Sequence, residues 1–223
     1  MSALLRARFE VLYDRDDAGR LLACNEWERN PPPRFHLFRT PAGNFAGASA
    51  DVDDARASAL LALAEAEPWP DDPRTAPVAL DRMLELLGAD DASAGPAYVL
   101  EHVPDQDDPE VLPLEGRMLE GDLEPWRGDI GQREPLLALC ENGVARAICC
   151  SARMGPVIHE AGVETRSDAR QRGFGTRVVA AWARGVRALG AVPGYSTDWT
   201  NAGSRAIAAR LGGRLVGVDL QIA

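Results

Sequence analysis

The chain has 223 residues, of which 46% are hydrophobic and 26% charged, so it can bury a full core and has the composition of an ordinary globular protein. No apolar run approaches the length of a membrane span, and the acidic N-terminus lacks a basic-then-apolar leader, so we expect a cytoplasmic protein. The four cysteines have no metal-ligand spacing, and reduced, mostly buried thiols are the expected state.

Charge is spread unevenly along the chain, whose formal net charge is −10. All 24 basic residues are arginine. Residues 135–223 hold 11 arginines and 6 acids, a net charge of +5, whereas residues 1–134 hold 13 arginines and 28 acids, a net charge of −15. A basic half suits a polyanionic ligand, and an acidic half would attract a cationic amine or repel nucleic acid.

The first 95 residues are predicted to form an N-terminal α/β segment. Its elements, in chain order, are a strand or helix at residues 4–13, a turn at Asp16–Gly19, a strand at Arg20–Cys24, a hairpin from Arg34 through the turn at Pro41–Asn44, a helix capped by Asp53, and a helix ending at Gly88. The polar, small residues Asp90–Gly95 then indicate a linker, so a domain boundary is predicted between residues 95 and 96.

The second domain, residues 96–223, has its sharpest patterns after residue 135. Before that point we predict a strand at Tyr98–Val103 and a short helix around Glu115–Leu123. The later elements are a hairpin of Leu136–Glu141 and Val144–Ser151 around Asn142-Gly143, a strand at Ile158–Thr165, an amphipathic helix from Phe174, a strand at Val192–Trp199, a helix at Asn201–Leu211 and a last strand at Leu215–Ile222.

The stretch from His159 to Thr176 is the most informative part of this domain. It reads as a strand, a polar turn, and then Arg170–Gly175 leading directly into a helix. Several backbone N–H groups at such a helix N-terminus have no intrahelical acceptor, and the helix dipole adds partial positive charge. The sequence therefore predicts an anion site. Neither the Walker loop nor the three-glycine dinucleotide pattern is present.

The spacing R-x-x-G-x-G, from Arg170 to Gly175, resembles the coenzyme A pyrophosphate loop of the GNAT superfamily of acyl-CoA-dependent N-acyltransferases. The residues from Tyr195 to Gly212 are similar to the next strand and helix of that family. The resemblance covers Pro135–Ala223. It implies an α/β GNAT fold, a mixed and mostly antiparallel sheet with a splayed central strand, while the N-terminal segment would contribute to the acceptor side.

The resemblance also implies acetyl-CoA as the co-substrate, without a metal. In the family, the splayed strand offers backbone groups to the pantetheine arm, the loop holds the pyrophosphate, and an Asn and a Ser of the following helix line the cofactor. The residues implied for these roles are Val163, Glu164, Thr165, Arg170, Gln171, Arg172, Gly173, Phe174, Gly175, Thr176, Asn201 and Ser204.

The chain departs from the family at the general acid. Related enzymes often carry a Tyr at the position that falls on Ala208, and Tyr195 on the preceding strand is a candidate replacement. Packing, with its hydroxyl hydrogen-bonded, is the alternative role for this Tyr. Candidate bases are, in order, Glu160, His159 and Glu164; alternation along the strand sends Glu160 and His159 to opposite faces.

The predicted function is transfer of an acetyl group from acetyl-CoA to a primary amine of an unidentified acceptor. Direct attack in a ternary complex is expected, because no Cys is positioned as a nucleophile near a base. The alternative is a catalytically weak CoA-binding module whose acidic half binds protein partners. The expected partner is a small-molecule or peptide amine, without nucleic acid or membrane, and a homodimer is left open.

Overall fold

The computed structural model describes residues 2–223, which form two compact units. The first unit runs to Tyr98 and also contains Ser196–Ala202 and Leu215–Ala223, and the second contains Val99–Tyr195 and Gly203–Arg214. The division at Tyr98 lies close to the predicted boundary at residue 95. However, the first unit also includes the end of the chain, which a single boundary cannot express.

The helices and strands succeed one another along the chain as α1 (Ser2–Val11), β1 (Tyr13–Arg15), β2 (Leu21–Cys24), β3 (Phe35–Arg39), β4 (Phe45–Ala48), α2 (Asp54–Ala66), α3 (Leu80–Leu87), β5 (Ser93–Val99), β6 (Val111–Pro113), β7 (Leu136–Glu141), β8 (Val144–Met154), β9 (Ile158–Thr165), α4 (Phe174–Ala188), β10 (Val192–Ser196), α5 (Ala202–Arg210) and β11 (Arg214–Ile222). No helix within residues 2–223 is both long enough and apolar enough to cross a membrane.

The first unit has the strand order β4-β3-β11-β5, and β1 and β2 form a separate antiparallel pair. Phe35 and Leu37 of β3 belong to the apolar core made with α2 and α3. On the other face of β3, the ring of Phe38 contacts Arg8 of α1, and the ring of His36 contacts Phe9. Because both faces of β3 are covered, all five of its residues are buried, unlike the half-buried strand that its alternating sequence suggests.

Local signals for the two helices of this unit are confirmed. The Asp53 carboxylate accepts a hydrogen bond from the backbone N–H of Arg56 at the start of α2. Gly88 ends α3 in the left-handed conformation with φ 61°. Both signals depend only on residues next to the helix end, which is why the sequence alone could identify them.

The second unit has the strand order β10-β9-β8-β7-β6. β9 and β10 are parallel, while β6 to β9 pair antiparallel in succession, so the predicted mixed, mostly antiparallel sheet is confirmed. The tight turn between β7 and β8 has Asn142 and Gly143 at φ 54° and 79°, as Asn-Gly predicts. α4 buries Val178 and Trp182 among its apolar stripe.

The segment between β6 and β7 is not the predicted helix at Glu115–Leu123. It forms two 3₁₀ stretches, Gly116–Met118 and Gly121–Asp129, whose apolar side chains join a core with β7 and β8. Gly121 has φ 61° and Pro125 removes a backbone donor, and both features oppose a continuous α-helix.

The predicted linker at Asp90–Gly95 and strand at Tyr98–Val103 are also wrong. β5 occupies Ser93–Val99 and pairs with β11. A Cβ added at Gly95 would lie 1.7 Å from the Thr197 carbonyl oxygen, so Gly95 serves a close backbone approach and not a flexible linker. This pairing is long-range, and the small side chains of β5 give no local sign of it.

Candidate functional site

A notch opens between β9 and β10 in the second unit. These parallel strands pair only at Val192↔Ile158, Pro193↔His159 and Gly194↔Glu160 within the described chain. β9 continues to Thr165 beside β8, whereas β10 ends at Ser196. The edge of β9 beyond Glu160 is therefore left open, as expected for a splayed central strand.

The backbone of β9 presents specific groups at this open edge. The Arg166 N–H donates to the Arg146 carbonyl oxygen at 3.0 Å, which fixes the alternation of hydrogen-bonded pairs between β8 and β9. By that alternation, Glu164 exchanges its backbone hydrogen bonds with β8. Val163 and Thr165 direct their backbone N–H and C=O groups toward the open edge. A linear amide-containing ligand could pair there as an added strand.

The N-terminus of α4 lies just after β9 in the chain and forms a second set of donors. Gln171 and Gly173 both adopt left-handed backbone, with φ 62° and 82°. The first intrahelical bond runs from Arg177 N–H to the Gly173 carbonyl, at 3.2 Å. The N–H groups of residues 174–176 therefore have no intrahelical acceptors, and they lie at the positive end of the helix dipole. This arrangement suits a phosphate group.

Two further features of the first turn of α4 fit a phosphorylated ligand. The Thr176 hydroxyl is buried and has no hydrogen-bond partner in the described part of the chain. A Cβ added at Gly175 would lie 2.9 Å from Ile207 Cδ1 and 3.2 Å from Thr165 Oγ1. Gly175 thus allows α4, α5 and the end of β9 to pack closely. The next residue, Thr176, supplies a hydroxyl that could bind the ligand.

The three arginines around this turn are not equivalent. The Arg172 guanidinium lies 2.5 and 3.0 Å from the Glu141 carboxylate oxygens, and Arg177 forms ion pairs with Asp108 and Glu110. Arg170 donates to the Thr165 carbonyl oxygen at 3.4 Å, and no carboxylate within residues 2–223 pairs with it. The Arg170 guanidinium could therefore bind a phosphate without first displacing a carboxylate.

His159 lies on the face of β9 that α4 covers. Its Nδ1 atom is 2.8 Å from the Ser151 hydroxyl oxygen, which also accepts a hydrogen bond from Trp182 Nε1 at 3.1 Å. Burial lowers the pKa of His159 below its usual range, so the ring is neutral near pH 7. These contacts hold the imidazole within the sheet–helix interface.

Glu160 lies on the opposite face of β9, as alternation predicts, and is only 3% exposed. It pairs in register with Gly194 of β10, and a Cβ added there would lie 2.2 Å from Glu160 Oε1. Gly194 thus makes room for this carboxylate beside the start of the notch. Glu164, two pleats further along the same face, accepts a hydrogen bond from Trp126 Nε1 at 2.6 Å.

Tyr195 points to the face opposite Gly194 and is 1% exposed. Its hydroxyl oxygen is 2.7 Å from the Ser204 hydroxyl oxygen, in the first turn of α5. Burial raises the pKa of Tyr195 to about 12. Ala208, also on α5, is fully buried. Asn201 directly precedes α5, where a cap is expected.

The adjacent Cys149 and Cys150 thiols are poor nucleophiles. Cys149 and Cys150 are buried on opposite faces of β8, and burial raises the pKa of both thiols, that of Cys150 to about 11. Raised thiol pKa values suppress the reactive thiolate. No group of three or more His, Cys, Asp and Glu side chains among residues 2–223 could hold a metal ion.

Sequence reasoning missed the residues that surround these candidates. Ser151 and Trp182 hold His159, Gly194 faces Glu160, and Trp126 binds Glu164. All four contacts join different elements across 8 to 38 positions of sequence, so no local pattern identifies the partners. Only Gly194 carried a hint, since a glycine inside a strand often marks a close approach.

Comparisons with known proteins concern the family and the fold. Residues 150–221 match the family model for FR47-like proteins, a GNAT-related group. No curated protein matches the sequence. A GCN5-related N-acetyltransferase-like protein from Streptococcus suis is 14% identical, with 99% of each chain covered and a TM-score of 0.50. A GNAT-family protein from Novosphingobium aromaticivorans is 21% identical over 81% of this chain and 85% of its own, with a TM-score of 0.49.

Proposed function

The chain has the GNAT fold, which supports acyl transfer from acyl-CoA, and we propose that it moves an acetyl group from acetyl-CoA to a primary amine. One observation carries the proposal. The open edge of β9, with the Val163 and Thr165 amides, leads directly into the donor-rich N-terminus of α4. A ligand with an amide-containing arm and a pyrophosphate matches both sets of groups.

Acetyl-CoA would supply an activated thioester whose acyl carbon accepts the amine. The backbone N–H groups of Val163 and Thr165 would polarise the thioester carbonyl. The N–H groups of residues 173–176, the Thr176 hydroxyl and Arg170 would hold the pyrophosphate. Ser204 would line the same ligand from α5. Binding at these positions would orient the thioester for attack by the amine. In GNAT enzymes this positioning supplies most of the catalysis.

Removal of the amine proton is assigned to Glu160. It is a buried carboxylate at the point where the two strands separate, and it packs directly against Gly194 of β10. His159 and Glu164 are the other candidates. His159 is hydrogen-bonded to Ser151 under α4, and Glu164 is hydrogen-bonded to Trp126 further along β9. Direct attack in a ternary complex is consistent with the raised pKa values of the Cys149 and Cys150 thiols.

Amine-dependent thiol release from acetyl-CoA tests the proposal. A panel of amino acids, polyamines, aminoglycosides and peptides with free N-termini should contain acceptors that raise the rate above hydrolysis. CoA binding without release by any amine would favour a binding module, and failure to bind CoA would exclude both functions.

A specific observation supports that second candidate, a catalytically weak CoA-binding module. Ala208 offers no acid, and the hydroxyl of Tyr195 is buried with a pKa raised to about 12. Proton transfer from such a phenol to a thiolate with a pKa of about 8.5 is unfavourable.

We therefore expect Tyr195→Phe to lower kcat by less than about threefold, with solvent water protonating the thiolate. The substitution keeps the ring and removes only the hydroxyl that contacts Ser204. Steady-state kinetics at saturating amine would check it. A fall of about a hundredfold in kcat, with KM for acetyl-CoA unchanged, would instead show that Tyr195 is the general acid.

CoA affinity should fall as salt concentration rises, and Arg170 should account for more of that dependence than Arg177. The reason is that Arg177 is already neutralised by Asp108 and Glu110, whereas Arg170 has no carboxylate partner in the described chain. Calorimetric titrations at several NaCl concentrations should show that CoA affinity depends less steeply on salt in Arg170→Gln than in Arg177→Gln.

The same titrations with dephospho-CoA test the 3′-phosphate. An identical salt dependence for CoA and dephospho-CoA in the wild type would show that no arginine contacts the 3′-phosphate.

A further inference from the structure

A small cavity of ≈ 220 Å³ lies within the first unit, between the start of β5, the residues after β10 and the second half of β11. Its polar lining residues are Ser93, Ser196, Thr197, Asp198, Asp219 and Gln221. The volume is below the roughly 300–1,000 Å³ of pockets that hold drug-sized molecules. A ligand of this cavity must therefore be small, and the polar side chains that line the cavity favour a polar ligand.

The carboxylate of Asp219 forms one wall and is held in place from behind. Arg8 donates two hydrogen bonds to it, at 2.8 and 2.7 Å, and His36 Nε2 lies 2.9 Å from Oδ1. The Arg8 and His36 side chains are 1% and 0% exposed, whereas that of Asp219 is 13% exposed. Burial alone would raise the pKa of Asp219, but Arg8 and His36 hold it well below its usual range.

A chain of hydrogen bonds extends this arrangement. Gln221 Nε2 donates to the Tyr13 hydroxyl at 3.3 Å, and that hydroxyl oxygen is 2.8 Å from His36 Nδ1. One tautomer of His36 fits this chain, with Nδ1 accepting from the Tyr13 hydroxyl and the Nε2 proton donated to Asp219. Compared with apolar packing, buried ion pairs add little net stability. These contacts hold the Asp219 carboxylate in a fixed position on the cavity wall.

Asp198 supplies a second carboxylate. The N–H and hydroxyl of Thr200 both donate to Asp198 Oδ1, at 2.6 and 2.5 Å. These bonds lower the pKa of Asp198, so the group stays ionised at neutral pH. The cavity is thus lined by the ionised Asp198 carboxylate and by the Asp219 carboxylate, which is ion-paired with Arg8.

We propose that this cavity binds a small organic cation through a primary ammonium group held between Asp198 and Asp219. An ammonium group has three donors and no acceptor, and the lining offers carboxylate, hydroxyl and amide oxygens without a lysine or arginine. The two carboxylates disfavour an anion. The choice of amines as occupants rests on the proposed function, but the binding itself needs no acyl-CoA.

Calorimetric titration of the full chain without acyl-CoA tests the proposal, with 1,4-diaminobutane as the probe and 1,4-butanediol as its uncharged analogue. The diamine should bind and the diol should not. Equal binding of both, or no binding of the diamine, would overturn the proposal. The acetyl-transfer assay is separate, so either idea can fail without the other.

A variant pair then localises the binding. Asp198→Asn keeps an oxygen for Thr200 and removes the charge, and should weaken diamine binding by about tenfold or more. Asp71→Asn makes the same change of net charge at an exposed loop position and should leave binding unchanged. Thermal melts check that both variants fold.

The location can also be mapped by backbone NMR. Diamine-induced shifts should concentrate at residues 93–95 and 196–198, which line the cavity. Unaltered affinity in Asp198→Asn, or shifts confined to other residues, would contradict the assignment.

Discussion

Gly173→Val is expected to weaken CoA binding by at least about a hundredfold while leaving the fold intact. Gly173 precedes α4 with φ 82°, a conformation that a β-branched residue adopts only with strain. Relief of that strain would turn the N–H groups at residues 173–176 away from a common point. Several charge-assisted hydrogen bonds to phosphate would then be lost, each contributing roughly 1.5–3 kcal/mol.

Isothermal titration with CoA would measure this loss. Gly190→Val is a matched control, because Gly190 follows the other end of α4 with φ 83° and has nothing within 4 Å of an added Cβ. Both variants should lose similar stability, but only Gly173→Val should lose CoA affinity. A folded Gly173→Val protein with wild-type affinity would disprove the pyrophosphate assignment.

Glu160→Gln should reduce kcat by about a hundredfold or more, with KM for acetyl-CoA close to the wild-type value. Amide and carboxylate have nearly the same shape, so packing against Gly194 is retained while the base is removed. A positioned general base typically contributes on the order of 10²–10⁴ in rate.

Glu67→Gln provides a control for the loss of a buried carboxylate. Glu67 is 7% exposed and accepts hydrogen bonds from the N–H groups of Val78 and Ala79, in the first unit. Its variant should keep full kcat. Wild-type kcat in Glu160→Gln would remove Glu160 from the mechanism. A larger loss in Glu164→Gln than in Glu160→Gln would transfer the role to Glu164.

Much of the candidate site was predictable because it is local in sequence. The left-handed Gly173 before an amphipathic helix, the Asn142-Gly143 turn and the alternation that separates His159 from Glu160 each depend on residues a few positions apart. Backbone geometry and side-chain periodicity therefore determine them without reference to the rest of the chain.

Sequence alone did not reveal the partners of these residues. It indicated Arg172 as a cation for a phosphate, but Glu141 already binds it in the fold, as Asp108 and Glu110 bind the nearby Arg177. Whether a charge is available depends on distances to groups 31 to 69 positions away. A sequence pattern carries no information on such distances.

The GNAT-like order of strand, glycine loop and helix was thus determined by the sequence itself. Tertiary structure decided that β5 and β11 belong to one unit, and it joined Arg8 to Asp219 across 211 positions. Short-range preferences are decided by each residue and its neighbours. Strand partners and buried ion pairs are decided by the burial of the whole core, which becomes defined only when distant segments pack together.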